Sequence, residues 1–462
     1  MACYPVRSDV TPTLCHAITL GALDRLFPRS RLETILAETH CLTERCRRLE
    51  LGTILLLVIA VGLFARESQR DLLRRLFHAW RLRWPSRTVP EVPTAAAIVY
   101  RRQELGVAPL RRLLQTVCVP LATPETPGAF LHGYRLMALD GTVEAVVDTP
   151  ANARYFRRSS NQHGEGAYPL VQCLYLVECG THAVIDARFS TTRHGEISLA
   201  RTLRSRLTPD MLVTMDRGLY SYDLIAAVDA RGAAVLVRVP SGVILRTFAL
   251  LPDGSYLARI YPENEKRRRH GEHRIVRLIE YTLPHAQVPT AETTYRLVCT
   301  VLEPTRLPAH AAAQAYTERW EAELMLDEQT VHQRLPHAPL RSRTPQGVFQ
   351  ELYGAVLAHY AIRSVMVAAA QVADVDPDRI SFVQTLHAVE RYLPDLQLAR
   401  GARWQQLYRR LIEEVSILLL PPRRSRAYPR LVKRRINRYS IRTPARIAAW
   451  RQTQTTRRVA LI

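Results

Sequence analysis

No pair among the eight cysteines (Cys3, Cys15, Cys41, Cys46, Cys118, Cys173, Cys179 and Cys299) has CxxC spacing, and none has a His–Cys ligand spacing. Several lie inside apolar runs. A structural zinc site and a disulfide framework are therefore not expected, and the thiols read as buried and free in a reducing compartment. The longest apolar run, Leu51–Ala65, has fifteen residues and contains Gly52, Thr53 and Gly62. That is short of the roughly 20 residues a bilayer core requires, and it suits a buried helix. No signal peptide opens the chain, so a cytoplasmic protein without a membrane partner is expected. Acidic residues are also scarce: 42 Asp and Glu stand against 64 Lys and Arg, a formal net charge of +22. Such a surplus points to a polyanion, nucleic acid before membrane, and to steeply salt-dependent binding. At 462 residues the chain exceeds one ordinary core, and two or three domains are expected.

The organising stretch is YRLMALDGTVEAVV, Tyr134–Val147. It predicts a buried strand ending at Asp140, a tight turn at Gly141-Thr142, and a second short strand. A buried strand rarely carries a carboxylate unless something offsets its charge, and a metal ion would. A second apolar run, Met211–Met215, stops at Asp216, and AYTERWEAELMLDEQTVH predicts a helix carrying Glu323. An Asp, Asp, Glu set at the carboxyl ends of sheet strands suits two Mg²⁺ ions held by oxygen ligands. The rival acids Asp148, Glu178, Asp186 and Glu196 read as turn or edge-strand residues.

Residues 1–125 predict an all-helical region. Its helices start near Asp9–Thr11 and at Pro28–Glu33 (with Ser30 as a cap), then follow as 50–65, an amphipathic segment ending before Pro85, Ala95–Leu105 capped by Thr94, and Ala108–Val117. The last two, joined at Gly106 and carrying Arg101, Arg102, Arg111 and Arg112, resemble a helix-turn-helix in outline. After a Pro-rich linker, Leu121–Gly128, strands at Tyr168–Val177 and His182–Phe189 form an antiparallel pair. Helix His194–Leu207, strand Met211–Asp216, helix Tyr220–Ala230 and strand Ala233–Val239 then alternate, which indicates a mixed sheet with packed helices. Between 241 and 305 only short strand signals occur, with Lys266, Arg267, Arg268 and Arg269 on an expected hairpin tip. Helices return at Pro345–Ala373, Asp378–Leu393 and Arg403–Leu418. From Arg423 to Arg458 thirteen Lys or Arg, Arg434 and Arg435 among them, occur with no acid. A run this basic is expected to grip a DNA backbone.

LDGT around Asp140, DRGLYSY from Asp216 and YTERWEAE ending at Glu323 resemble, in order, the motifs of the DDE transposases of the insertion element 4 family. The family signature on the helix of the third acid is Tyr, two residues, Arg, three residues, Glu, six residues, Lys. Tyr316, Arg319 and Glu323 match it, and Thr330 stands where the lysine would be. The N-terminal helical segment, LRSRTP with the apolar helix after it, and RAYPRLVKRR in the tail extend the resemblance over nearly the whole chain.

The resemblance implies an α/β fold: a ribonuclease-H-like mixed sheet flanked by helices, with a β-rich insertion and helical N- and C-terminal regions. The expected divisions are a helical DNA-binding domain 1–125, a catalytic domain in two parts (126–240 and 306–375) around an insertion 241–305, and a helical C-terminal region with basic tail, 376–462. It also implies that Asp140, Asp216 and Glu323 hold two Mg²⁺ ions, with Mn²⁺ as a substitute, about 3.5–4 Å apart. Such a site cuts transposon ends in double-stranded DNA and joins the freed 3′-hydroxyls to target DNA. Tyr316 and Arg319 would contact backbone phosphate, and synapsis of two ends implies a homodimer on DNA. Thr330 brings no charge, so weaker end binding or a substitute cation, Lys266–Arg269 or Arg334, is expected. Two alternatives share the architecture: a metal-dependent DNA nuclease that does not transpose, and an inactive DNA-binding regulator.

Overall fold

A computed structural model describes residues 20–41, 49–83, 92–161, 164–282, 294–334 and 338–421, with Ala445 and Ala448 beyond them. The expected helix start at Asp9–Thr11 and the basic run from Arg423, with Arg434 and Arg435, lie outside the described residues.

The centre is a mixed sheet. Strand β1 (Phe130–Leu131) pairs with β2 (Tyr134–Ala145); β3 (Arg158–Asn161), β4 (Gly164–Glu178) and β5 (Ala183–Thr191) follow, then β6 (Met211–Met215) and β7 (Ala234–Arg238). β4 runs antiparallel to β2 and to β5, whereas β6 is parallel to β2 and β7 is parallel to β6. The order β5-β4-β2-β6-β7, with an antiparallel meander leading into parallel strands, is the ribonuclease-H-like arrangement. One expectation is corrected: no turn divides β2 at Gly141-Thr142. β4 is long enough to pair with β2 from Met137↔Glu178 to Ala145↔Leu170, so the ladder carries the chain straight through the glycine.

Strands β8 (Arg246–Leu250), β9 (Tyr256–Ile260), β10 (Arg274–Thr282) and β11 (Thr294–Cys299) form the β-rich insertion. They do not fold away from the sheet. β11 pairs antiparallel with β7, so one path runs β3-β4-β2-β6-β7-β11-β10-β9-β8. Lys266–Arg269 lie at the tip of the antiparallel β9–β10 hairpin, as expected, and there they form a short helix, α9 (Glu265–Arg269), capped by the Asn264 side chain, which accepts the amide of Arg267.

Period-two alternation along β2 separates two cores. Met137 and Leu139 face α7 (Glu196–Thr202) and α8 (Tyr222–Asp229), while Leu136 and Ala138 face the larger helical layer. That layer comprises α2 (Leu51–Leu63), α12 (Pro345–Ala373), α13 (Phe382–Leu398) and α14 (Gly401–Ser416), with α1 (Arg29–Glu38), α3 (Gln69–Arg83), α4 (Ala95–Leu105), α5 (Ala108–Val117) and α6 (Pro150–Phe156) around them. α1 begins at Arg29 after Pro28, one residue ahead of the expected Ser30 cap. α12 is long and apolar enough to cross a membrane by length and composition, but its apolar face is core here.

The expected arginine face of α4–α5 is corrected in part. Arg101 is buried, donating from Nε to the Leu49 carbonyl at 2.8 Å. Arg102 donates to Gln350 at 3.0 Å, and Arg112 pairs with Glu38 at 2.6 Å. Arg111 is exposed. Two of these four cations brace α4 against its neighbours.

α2 and α12 cross where glycines face each other. A Cβ on Gly62 would stand 2.6 Å from the Gly354 carbonyl, and one on Gly354 would stand 2.4 Å from the Val58 carbonyl. Both obstacles are backbone, so neither helix can yield by a rotamer change. Gly354→Ala is expected to cost about 1–3 kcal/mol in urea unfolding through overpacking, although alanine is the better helix former. An unchanged or raised midpoint would contradict this packing.

Candidate active site

The parallel pairing of β2 with β6 ends at Leu139↔Met215, so the next residues, Asp140 and Asp216, leave adjacent strand ends side by side. Each is pinned by local amides. Asp140 Oδ1 accepts from the N–H of Gly141 at 2.9 Å. Asp216 caps the following 3-10 turn, its Oδ1 accepting from Gly218 at 2.9 Å and Leu219 at 3.1 Å.

The third acid comes from the larger layer, from a helix that packs directly on β2. The expected single helix is two: α10 (Ala309–Glu318) breaks at Arg319, and α11 (Trp320–Asp327) continues into a π-helical turn, Glu328–Gln333. Glu323 is half-exposed on α11. Arg319 joins it to the strand pair, with Nη2 2.9 Å from Glu323 Oε1 and Nη1 3.5 Å from Asp140 Oδ2. Tyr316 is 9% exposed and lies beneath this guanidinium, 5.9 Å from ring centroid to Cζ. In this arrangement Arg319 is the cation among the carboxylates.

Burial pushes the Asp140 carboxyl up to about 6; the charges of Glu323 and Asp216 add to this, while Arg319 and the Gly141 amide oppose it. The site therefore holds more negative charge than its own arginine neutralises. Among the described residues, no three His, Cys, Asp or Glu side chains converge on one point as they stand. The donors nevertheless suit a hard divalent cation: three carboxylates, with Asp140 and Asp216 each committing one oxygen to amides and only Arg319, at 3.5 Å, facing the second oxygen of Asp140.

Glu196 was set aside in the sequence as a turn or edge residue, yet it belongs beside this group. A Cβ on Gly141 would lie 2.6 Å from Glu196 Oε1, so the glycine admits a fourth carboxylate against the strand. Gln172 holds it at 3.0 Å, and burial, then the charge of Asp216, raises its pKa. Its position at the start of α7 was legible; its approach to β2 required knowing that Gly141 is in a strand. The other rivals serve the fold. Glu178 pairs with Arg135 and accepts the amides of Leu121 and Ala122, Asp186 pairs with Arg188, and Asp148 pairs with Arg158.

The remaining sequence candidates are spread out. Arg267 pairs with Asp223 and Glu272, and Arg269 pairs with Glu265, leaving Lys266 and Arg268 exposed on α9. The Thr330 hydroxyl is turned to its own helix, donating to the Leu326 carbonyl at 2.7 Å. Arg334 is engaged with Glu144 at 2.6 Å, so it is not a ready replacement for the missing lysine.

Residues 131–361 match the family profile described as the transposase DDE domain, and residues 17–115 match the insertion element 4 transposase N-terminal region. The chain is 28% identical over 410 residues to transposase InsG for insertion sequence element IS4 of Escherichia coli (strain K12), covering 87% of this chain and 90% of that one. A solved piggyBac transposase synaptic complex with hairpin DNA is similar with TM-score 0.41 and 10% identity, covering 87% of this chain and 85% of that chain.

The raised Asp140 pKa has a stability consequence. An unfolded aspartate titrates near 3.9, so between about 4 and 6 the folded chain binds more protons than the unfolded one. Stability then falls as pH rises through that window. Asp140→Asn removes the penalty. In chelator at about pH 7.5 the variant is expected to be more stable by up to about 3 kcal/mol, with the gain shrinking as pH is lowered toward about 4. Urea unfolding across pH checks this; a variant less stable than wild type at pH 7.5 would refute it.

Proposed function

The chain belongs to the insertion element 4 family of DDE transposases, and from that premise we propose that it cuts the ends of a DNA element and joins them to target DNA at Asp140, Asp216 and Glu323. The observation that carries this reading is the β2–β6 register, which sets two carboxylates at neighbouring strand ends with Glu323 tied to the same place through Arg319.

In the cutting step a water oxygen bonds to phosphorus as the P–O3′ bond breaks, leaving a 3′-hydroxyl and a 5′-phosphate. In the joining step that hydroxyl attacks a target phosphate, and the target's own 3′-oxygen leaves and takes up a proton. Asp140, Asp216 and Glu323 would hold two Mg²⁺ ions, with Mn²⁺ as a substitute. When bound, such ions activate the attacking oxygen and stabilise the leaving one. The amides of Gly141, Gly218 and Leu219 keep the two aspartates from rotating, so their other oxygens stay directed. With cations held by the carboxylates, Arg319 would be released from Asp140 and Glu323 and could turn its two-pronged donor to the scissile phosphate, with Tyr316 supporting it from below. Lys266 and Arg268 on α9, Arg111 on α5 and the basic run that includes Arg434 and Arg435 contact the DNA backbone away from the cut. The working complex is a homodimer holding two ends, and the protein acts in the cytoplasm.

The test is cleavage of a labelled duplex carrying the element's own end. With Mg²⁺, wild type is expected to cut at the end and to join it to a second duplex. Asp140→Ala, Asp216→Ala and Glu323→Ala are each expected to lose at least about 10³-fold in rate while end binding stays within threefold. Cutting without joining would favour the nuclease reading, and binding without cutting the regulator. Thr330→Lys is expected to tighten end binding several-fold and to steepen its salt dependence by about one phosphate contact. An unchanged salt slope would place residue 330 away from DNA.

A further inference from the structure

On the side of α11 away from Asp140 lies a buried group of charges for which the proposed chemistry has no use. Glu328, the first residue of the π-helical turn, is at its centre. Its Oε2 accepts from His359 Nε2 and from Arg363 Nε, both at 2.9 Å. Its Oε1 accepts from Arg363 Nη2 and stands 3.2 Å from His182 Nδ1. His359 and Arg363 come from α12, and His182 comes from the β4–β5 turn, where it holds a φ of 52°. His182 Nε2 faces Asp378 Oδ1 at 3.0 Å, between α12 and α13. His182, His359 and Arg363 are each at most 1% exposed.

The charges close on themselves. Burial keeps His359 below its usual range and therefore neutral. Burial and Arg363 oppose charge on His182, yet Asp378 and Glu328 together bring it to about 9. Arg363 and His182 thus answer Glu328 and Asp378, with Glu321 Oε2 also 4.0 Å from His182 Nε2. A second tether lies seven residues back, where Glu321 accepts the N–H of Gly180 in the same β4–β5 turn. Residues 321 and 328 share a helix face, while Glu323 is turned about 200° from Glu321. The two buried acids therefore anchor one side of α11, and the candidate ligand projects from the other. The helix widens into its π turn where Glu328 enters the cluster, a distortion frequent at functional sites.

We propose that Glu328, held by Arg363 and His359, is a positioning residue that fixes the rotation of α11 and thereby holds Glu323 toward Asp140. The inference rests on reading Glu323 as a metal ligand. Loosening the cluster leaves the three carboxylates chemically intact but lets the third drift, so the loss falls on cation binding. End binding, which in the proposed function rests mainly on basic residues away from the cut, changes little.

The probe is Mn²⁺ alone, its binding to the full chain followed by loss of the free-ion paramagnetic resonance signal, with end cleavage measured against Mn²⁺ concentration in parallel. Arg363→Lys keeps a buried cation but loses the two-pronged contact. It is expected to raise half-saturating Mn²⁺ five- to tenfold in both assays, leave end-DNA affinity within twofold, and recover at least half the wild-type rate at saturating Mn²⁺. Glu328→Gln is expected to shift further in the same direction, and His359→Gln, which keeps a donor near the Nε2 position, to stay within twofold of wild type. If Arg363→Lys and Glu328→Gln bind Mn²⁺ as wild type does while Asp140→Ala does not, the positioning role is overturned and the triad stands. If Asp140→Ala also binds normally, the triad reading fails and the inference fails with it. If both cluster variants are unfolded at temperatures where wild type is folded, the cluster is a stability element and the inference is overturned.

Discussion

Asp140 and Asp216 leave neighbouring parallel strands at the same level, and the burial of charge there, with the smaller repulsion between the carboxylates, is the constraint that the surrounding residues answer. Burial makes that repulsion stronger, because a low-dielectric surround screens less than water. Three responses are visible. Backbone amides take one oxygen of each aspartate. Arg319, placed by a break between α10 and α11, reaches both Asp140 and Glu323. Asp140 keeps part of its proton toward neutral pH. None of these removes the negative charge, and a site left in this condition favours cations over any neutral ligand.

The same physics is solved differently behind α11. There His182 and Arg363 are buried and the Glu328 and Asp378 side chains are only 12% and 15% exposed, and the four provide one another with partners inside the fold. Breaking one member strands another, which is why such groups are costly to disturb even though they contribute little net stability as an intact set. The open group near Asp140 and the closed group near Glu328 lie on opposite sides of one short helix. α11 thus separates charge that remains available for a ligand from charge that does not.

Much of the fold was legible in the sequence because it follows from apolar periodicity. Strands β5, β6 and β7, the four strands of the insertion, and α2, α4, α5 and α12 lie close to where alternation, runs and caps put them, with Thr94 accepting the Ala97 amide as a helix cap should. What was not legible depends on partners distant in sequence. Asp-Gly-Thr reads locally as a turn, and only the long partner β4 holds it extended. Arg101 and Arg102 read as surface charge, and only the carbonyl of Leu49 and the amide of Gln350 show them turned inward. At the site, the acids at the ends of apolar runs could be singled out from the chain itself. The approach of Glu196 to Gly141, the pairing of Arg334 with Glu144 and the π turn after Glu323 could not, since each is a contact or a backbone defect with no periodic trace.

The insertion shares the sheet rather than standing apart on a stalk. Nine strands bonded edge to edge span roughly 38 Å at the usual strand spacing, and along the bonded direction such a ladder stretches very little. β8 at one end and the β2–β6 pair that carries the aspartates are therefore parts of one stiff plate. The insertion thus connects to Asp140 and Asp216 through the hydrogen bonds of β11 with β7, β7 with β6 and β6 with β2, rather than through a covalent linker alone.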